Sequence, residues 1–291
     1  VFSHMRCCHI APNVITYTAA MCACEKGGQW QEAVGLFLDM QRRRLEADVI
    51  SHNAAINACA KGLQWLRALA IVSDMRRNRL EPNVISFNSG LDACGKSLHM
   101  NEAIDMLSDM WLGLLKPDVV SYGAAISACE TGEKWLEALS ILSEMRQCRL
   151  EPDVISYNAA ISACEKGSQL QQALRLFETM QQNVVEADHI TYDAAISSCE
   201  KGENWQLAFT FLADAEHHGI APDVVGCSAS ISACEKCGRW QEAVGMLTDM
   251  RGRRVEPDAI SHNAAISACE KGARWHEALD ILCDMRQCDI E

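Results

Sequence analysis

The sequence predicts an all-α fold, an α-solenoid of stacked helix-turn-helix repeats. Three observations carry this. Segments related to Glu151–Gly167 recur every 35 residues along the chain without an insertion. Each unit holds two helix-length apolar patterns, and in most units a glycine divides them and a proline closes the pair. The proline register reads Pro12, Ala47, Pro82, Pro117, Pro152, Ala187, Pro222 and Pro257. Counting each unit from two residues after that register gives repeats at 14–48, 49–83, 84–118, 119–153, 154–188, 189–223, 224–258 and an incomplete 259–291. Residues 1–13 read as the end of a preceding repeat, with Met5 to Asn13 aligning on Met145 to Asp153. The chain closes at Asp289-Ile290-Glu291, short of the next Pro-Asp junction, and neither end shows a polar capping helix. It is expected to be a piece of a longer array forming one continuous solenoid.

Within a unit the elements follow in order. The third residue is Thr16, Ser51, Ser86, Ser121, Ser156, Thr191, Gly226 or Ser261, and hydroxyls there are expected to cap the first helix. Positions four, eight and eleven are apolar or aromatic, as in Tyr157, Ile161 and Cys164, a spacing that predicts one buried face. Positions six, seven and ten are small, as in Ala159, Ala160 and Ala163, which lets neighbouring helices approach closely. A glycine at position fourteen (Gly27, Gly62, Gly132, Gly167, Gly202, Gly272) is expected to stop the helix, with Ser97 and Cys237 as departures. The second helix then presents Trp30, Ala33, Val34, Phe37 and Met40 on one face, and its alanine recurs in every unit. Proline ends the unit because it disfavours helix in the residue before it.

Composition narrows the function. Of 291 residues 49% are apolar and 22% charged, which excludes a disordered chain. No run of eighteen apolar residues occurs, so no membrane span is expected. The net charge is -13, from 26 basic and 39 acidic residues, and the far field repels phosphate. A nucleic-acid partner must therefore be held by local charge placement.

The 35-residue helical pair and its consensus resemble the pentatricopeptide repeat family, over essentially the whole chain. The tetratricopeptide repeat, a protein-binding module, has period 34 and a Leu-Gly pair where this chain has Ala-Ala-Ile-Ser. The resemblance implies a right-handed superhelix that binds single-stranded RNA, one base to each repeat. It implies that the second residue packs on the base plane: Ile15, Ile50, Ile85, Val120, Ile155, Ile190, Val225 and Ile260. Periodicity alone would make these ordinary core residues. It implies, too, that the fifth and last residues face the base edge.

Those pairs are Thr18 with Asp48, Asn53 with Asn83, Asn88 with Asp118, Gly123 with Asp153, Asn158 with Asp188, Asp193 with Asp223, and Ser228 with Asp258, while Asn263 lacks its partner. An ionised Asp only accepts hydrogen bonds, so it suits uracil or guanine, whereas Asn can also donate to cytosine. The family's code reads Asn with Asp as uracil, Asn with Asn as cytosine-leaning, Thr with Asp as guanine and Ser with Asp as a weaker guanine reader. Gly123 has no side chain to read with, and the two carboxylates of Asp193 and Asp223 fall outside the pattern. The expected RNA is 5'-G, C/U, U, any, U, any, G, C/U-3'.

Position thirteen carries Lys26, Lys61, Lys96, Lys166, Lys201, Lys236 and Lys271, with Thr131 in the fourth repeat. The resemblance points this row at the phosphates, while a helix C-terminal lysine also complements the macrodipole. Glutamates (Glu25, Glu130, Glu165, Glu200, Glu235, Glu270) precede most of them, and adjacent helical residues point about 100° apart, so they need not line the same groove. Six phosphate contacts would give a log–log salt slope of about -4.

Other features read as structure. Eight of the 16 cysteines share position eleven (Cys24, Cys59, Cys94, Cys129, Cys164, Cys199, Cys234, Cys269) and are expected to be small buried apolar residues. Stacked helices lie about 8–10 Å apart, too far for these to pair as disulfides. Cys234-Glu-Lys-Cys237 is a lone CxxC, and Cys148 and Cys288 fall in turns open to oxidation. Six tryptophans begin second helices and are expected to pack between repeats rather than stack on bases. No deaminase zinc signature, nuclease domain or phosphate-binding glycine loop is present, so no enzyme, cofactor, metal or small-molecule substrate is expected. The expected role is guiding the processing, stability, translation or editing of an organellar transcript in mitochondrion or chloroplast, with RNA-processing proteins as further partners. The alternative is a protein-interaction scaffold that keeps the solenoid without RNA binding.

Overall fold

The computed structural model describes residues 12–253 and 255–287. Its described residues form sixteen helices of 13 residues each, and no strand. Two compact units divide the chain, Val1–Pro152 and Asp153–Glu291. The first holds α1 (Val14–Lys26), α2 (Trp30–Arg42), α3 (Val49–Lys61), α4 (Trp65–Arg77), α5 (Val84–Lys96), α6 (Met100–Leu112), α7 (Val119–Thr131) and α8 (Trp135–Gln147). The second holds α9 (Val154–Lys166), α10 (Leu170–Gln182), α11 (His189–Lys201), α12 (Trp205–His217), α13 (Val224–Lys236), α14 (Trp240–Gly252), α15 (Ala259–Lys271) and α16 (Trp275–Gln287). The alignment of Met5–Asn13 on the end of a repeat, the closing residues 289–291 and Cys288 lie almost wholly outside the described residues.

Each unit has two layers. Within a unit the odd-numbered helices pack side by side, and each even-numbered helix lies against its own partner and, except for the last of the unit, the next odd helix. Small residues permit the first layer: a Cβ on Gly95 would sit 3.4 Å from that of Ala128. The odd helices are therefore enclosed on several sides, and the expected single buried face is too narrow. In α3, residues Ser51 to Ile56 and Ala58 to Ala60 are all buried. Only α1, first in the described chain, keeps a narrow stripe of Tyr17 and Met21. The position-eleven cysteines of α3, α5, α7, α9, α11, α13 and α15 are buried free thiols, as expected, and Cys24 of α1 is half-buried. Burial pushes the Cys164 thiol up to about 11 and that of Cys199 to about 12, so neither is a nucleophile at neutral pH.

The first helices end at position thirteen with the position-fourteen glycine as C-cap, as expected, but the expected N-cap is corrected. The N-cap is the last residue of the preceding repeat, not the third residue of the helix. Asp153, for example, accepts from the Ser156 N–H at 2.9 Å. Nor does the position-fourteen glycine take the left-handed conformation, since Gly62 has φ -89. The left-handed residue is the next one, including Leu63 at φ 56 and Glu133 at φ 56. Gly62 is needed for close approach instead: a Cβ there would lie 2.3 Å from the Trp30 ring, and one on Gly272 2.4 Å from Trp240. Trp30, Trp65, Trp205 and Trp240 pack against the next repeat, Trp240 also beneath Arg274 at 4.5 Å and Trp65 stacked on His99 at 3.7 Å, while Trp275 is exposed.

Candidate nucleic-acid interface

Eight β-branched residues at position two break the burial pattern. Ile15, Ile50, Ile85, Val120, Ile155, Ile190, Val225 and Ile260 are all exposed, from 48% at Ile190 to 77% at Ile15. Apolar side chains repeated in the open at one register are not core. The helical angle of about 100° per residue sets positions two, five, nine and thirteen on one face. Position nine was missed in the sequence. Its residues (Asn57, Asp92, Ser127, Ser162, Ser197, Ser232, Ser267) are short, polar and half-buried between the isoleucine row and the lysines. Their recurrence at one register was the available signal.

In repeats two, three and five the fifth and last residues meet, and a third residue joins them. Asn158 Nδ2 donates to Asp188 Oδ1 at 2.9 Å, and Asn158 Oδ1 accepts from the Thr191 hydroxyl at 2.6 Å. Asn88 is held likewise by Asp118 at 3.2 Å and Ser121 at 2.6 Å, and Asn53 by Asn83 at 3.3 Å and Ser86 at 2.6 Å. The position-three hydroxyl therefore ties one repeat to the fifth residue of the repeat before it at Ser86, Ser121, Thr191 and Ser261. It also accepts from the N–H of the N-cap residue in α5, α7, α11 and α15, completing a capping box. An Asn amide so held still has one N–H and one lone pair to offer. Asn53 and Asn158 are nonetheless buried, at 9% and 8% exposure, so a base would meet only their edges.

The remaining positions differ. The Thr18 hydroxyl turns back to the Val14 carbonyl at 2.9 Å, leaving Ser51 to donate to Asp48 at 2.7 Å. Ser228 contacts the Ser261 hydroxyl at 2.9 Å and Asp258 at 3.5 Å. Asn263 is exposed, and Gly123 is buried without a side chain. Burial works upward on the carboxyls of Asp118 and Asp188, but donors outweigh it and hold both below the ordinary value: the Ser121 and Thr191 backbone and hydroxyl groups and the Asn88 and Asn158 amides. These caps stay charged at neutral pH.

The lysine row is exposed at Lys26, Lys61, Lys96, Lys166, Lys201, Lys236 and Lys271, yet it is not a row of open charges. Lys61 pairs with Glu25 at 3.1 Å, Lys201 with Glu165 at 2.7 Å, Lys236 with Glu200 at 3.1 Å and Lys271 with Glu235 at 2.6 Å. Each glutamate belongs to the preceding repeat. Glu and Lys point apart within one helix, but stacking brings the glutamate of one repeat to the lysine of the next. Where Ala60 replaces the glutamate, Lys96 turns to Asp92 at 2.7 Å. Where Gly95 does, Thr131 replaces the lysine and donates to the Gly95 carbonyl at 3.1 Å. Cys234 has a thiol pushed up to about 12 by burial, and Cys237 donates to the Glu203 carbonyl, so the CxxC residues serve separate surroundings.

Helical hairpins with a repeated polar junction and an exposed apolar row define a repeat protein whose one face is built by register. The family model of the PPR repeat family matches residues 12–61, 117–166, 152–201 and 222–271, and that of the PPR repeat matches 50–80, 85–112 and 260–290. The chain belongs to the PPR repeat family. Among solved structures it is similar to the pentatricopeptide repeat protein PPR10 in complex with an 18-nt psaJ RNA element, at TM-score 0.86 and 20% identity, covering 100% of this chain and 42% of that one. PPR10 from maize gives the same TM-score of 0.86 and 20% identity over 100% of this chain and 41% of that one. The PPR domain of Arabidopsis thaliana protein-only RNase P 1 in complex with tRNA is similar at TM-score 0.53 and 18% identity, over 60% of this chain and 92% of that one. The likeness shows the all-α solenoid fold, and the chain spans less than half the length of PPR10. No curated protein matched by sequence.

Proposed function

We propose that this chain binds single-stranded RNA sequence-specifically, one base to each repeat. The observation that carries the reading is the open row of β-branched residues at position two, one helical turn from each fifth-and-last junction. Exposed aliphatic side chains at a regular spacing, beside an asparagine with a donor and an acceptor to spare in repeats two, three and five, match the face and edge of a nucleobase. The similar structure of PPR10 with an RNA element supports the choice of ligand. The protein's role is guiding the maturation, stability, translation or editing of a transcript in mitochondrion or chloroplast, with catalysis supplied by partner proteins.

The Glu–Lys ladder favours a second reading, a scaffold that keeps the solenoid and binds protein, because it neutralises the groups nearest a phosphate. Filter binding separates the two. The RNA 5'-GUUNUNGU-3' should bind at least tenfold more tightly than a scrambled sequence at about 0.1 M salt. Equal affinity for both would leave the scaffold.

A further inference from the structure

The sixth repeat departs from the pattern twice at one spot. Asp193 stands where repeats two, three and five carry Asn, and Gly226 stands where the next repeat would supply a hydroxyl. The departures face each other: a Cβ on Gly226 would lie 3.0 Å from Asp193 Oδ1. The proton that Ser86, Ser121 and Thr191 donate to their asparagines thus has no source at Asp193. Across the junction is Asp223, the N-cap of α13, whose carboxylate accepts from the Gly226 N–H at 3.0 Å. Two carboxylates meet where every other equipped junction has a donor and an acceptor. A single proton between them restores the missing link, the acid O–H replacing the amide N–H that joins Asn158 to Asp188.

We propose that Asp193 and Asp223 share one proton and that this makes the sixth repeat a proton-linked RNA contact, engaged in the singly protonated state and weakened when both carboxylates are charged. The proposal rests on the RNA-binding reading and assigns a position that the base code leaves open. Burial, then the charge of Asp223, pushes the Asp193 carboxyl up to about 6, with Asp188 adding to the rise and His189 opposing it. These are the charged groups acting on Asp193, from its own helix start and from α13, where the buried Cys227 thiol also senses it. With the proton, the pair carries one negative charge and presents acceptor oxygens to a base N–H. Without it, two charges face an anionic strand.

The sign follows from the raised value. The folded protein holds this proton more tightly than the unfolded chain, so its stabilisation is full below the ordinary Asp value and is lost as pH rises through about 6. RNA affinity should follow, falling between pH 6 and 8 by up to about tenfold per unit, the limit for one linked proton. The experiment titrates the eight-base RNA at fixed salt from pH 5.5 to 8 on the wild-type chain and on Asp193→Asn, with thermal unfolding of both across the same range and at pH 4. Asp193→Asn should bind with a flatter pH profile, and tighter than wild type at pH 8. Its melting temperature should exceed wild type by a few degrees above pH 6 and converge with it near pH 4. Parallel binding profiles with RNA bound by both would overturn the proton-linked contact while leaving RNA binding intact. Absence of RNA binding at every pH would overturn the RNA reading, and the melting comparison would then decide the shared proton alone.

Discussion

Ile155 and Tyr157 lie two residues apart, yet Ile155 is 66% exposed and Tyr157 is fully buried. Apolar periodicity treats both as core, because it knows nothing of how many neighbours a helix has. The enclosure of the odd helices decides it, leaving position two the open edge. Ile155→Asn should therefore change stability by no more than about 0.5 kcal/mol, a surface substitution. It should weaken RNA binding by about 1.5 kcal/mol, roughly tenfold, if the side chain packs on a base. Denaturant unfolding and filter binding on the same variant check both halves, and a large stability loss would return Ile155 to the core. The role of position three was harder to read. Asp-x-x-Ser fits either residue as the cap, and only the packed neighbour shows that the hydroxyl proton goes to the previous repeat's asparagine.

The C-terminal limits of the first helices were legible, since the position-fourteen glycine follows directly on them, whereas their starts were not, the cap being Asp153 rather than Ser156. What was not legible is why glycine holds position fourteen, because its neighbour, the tryptophan, comes from another repeat. Gly62→Ala forces a Cβ into the Trp30 ring, and overpacking of this kind costs about 1–3 kcal/mol. Thermal unfolding should show the loss, and an unchanged melting temperature would mean that Trp30 moves freely. The turn after α10 carries strain of a different kind. Val184 is β-branched, 87% exposed and held at φ 57. A left-handed conformation costs an L-residue roughly 1–2 kcal/mol, so Val184→Gly should stabilise by about 1 kcal/mol despite glycine's greater unfolded freedom. A destabilised variant would show that the valine makes a contact outweighing its strain.

Across the molecule, the net charge of -13 and the Glu–Lys ladder set the electrostatics of binding. On the proposed RNA reading, Lys61, Lys201, Lys236 and Lys271 must each leave a glutamate to meet a phosphate, so modest affinity with steep salt dependence is expected. Six such contacts give a log–log slope of about -4, and a slope near zero would remove the lysines from the interface. Replacing Glu165, Glu200 and Glu235 by Gln frees three lysines. At roughly 0.2–1 kcal/mol for each exposed pair, RNA affinity should rise about tenfold. The repeat count and register were open to sequence reasoning because they are one-dimensional. The ladder was not, since its partners lie about one repeat apart and meet only after stacking. The central claim, that the fifth residue of each repeat chooses a base, is tested most directly by Asn158→Thr. Against two RNAs differing only at the fifth nucleotide, the wild-type chain should prefer uracil and the variant guanine, with no change at other positions. An unaltered preference, or an equal loss for both RNAs, would contradict it.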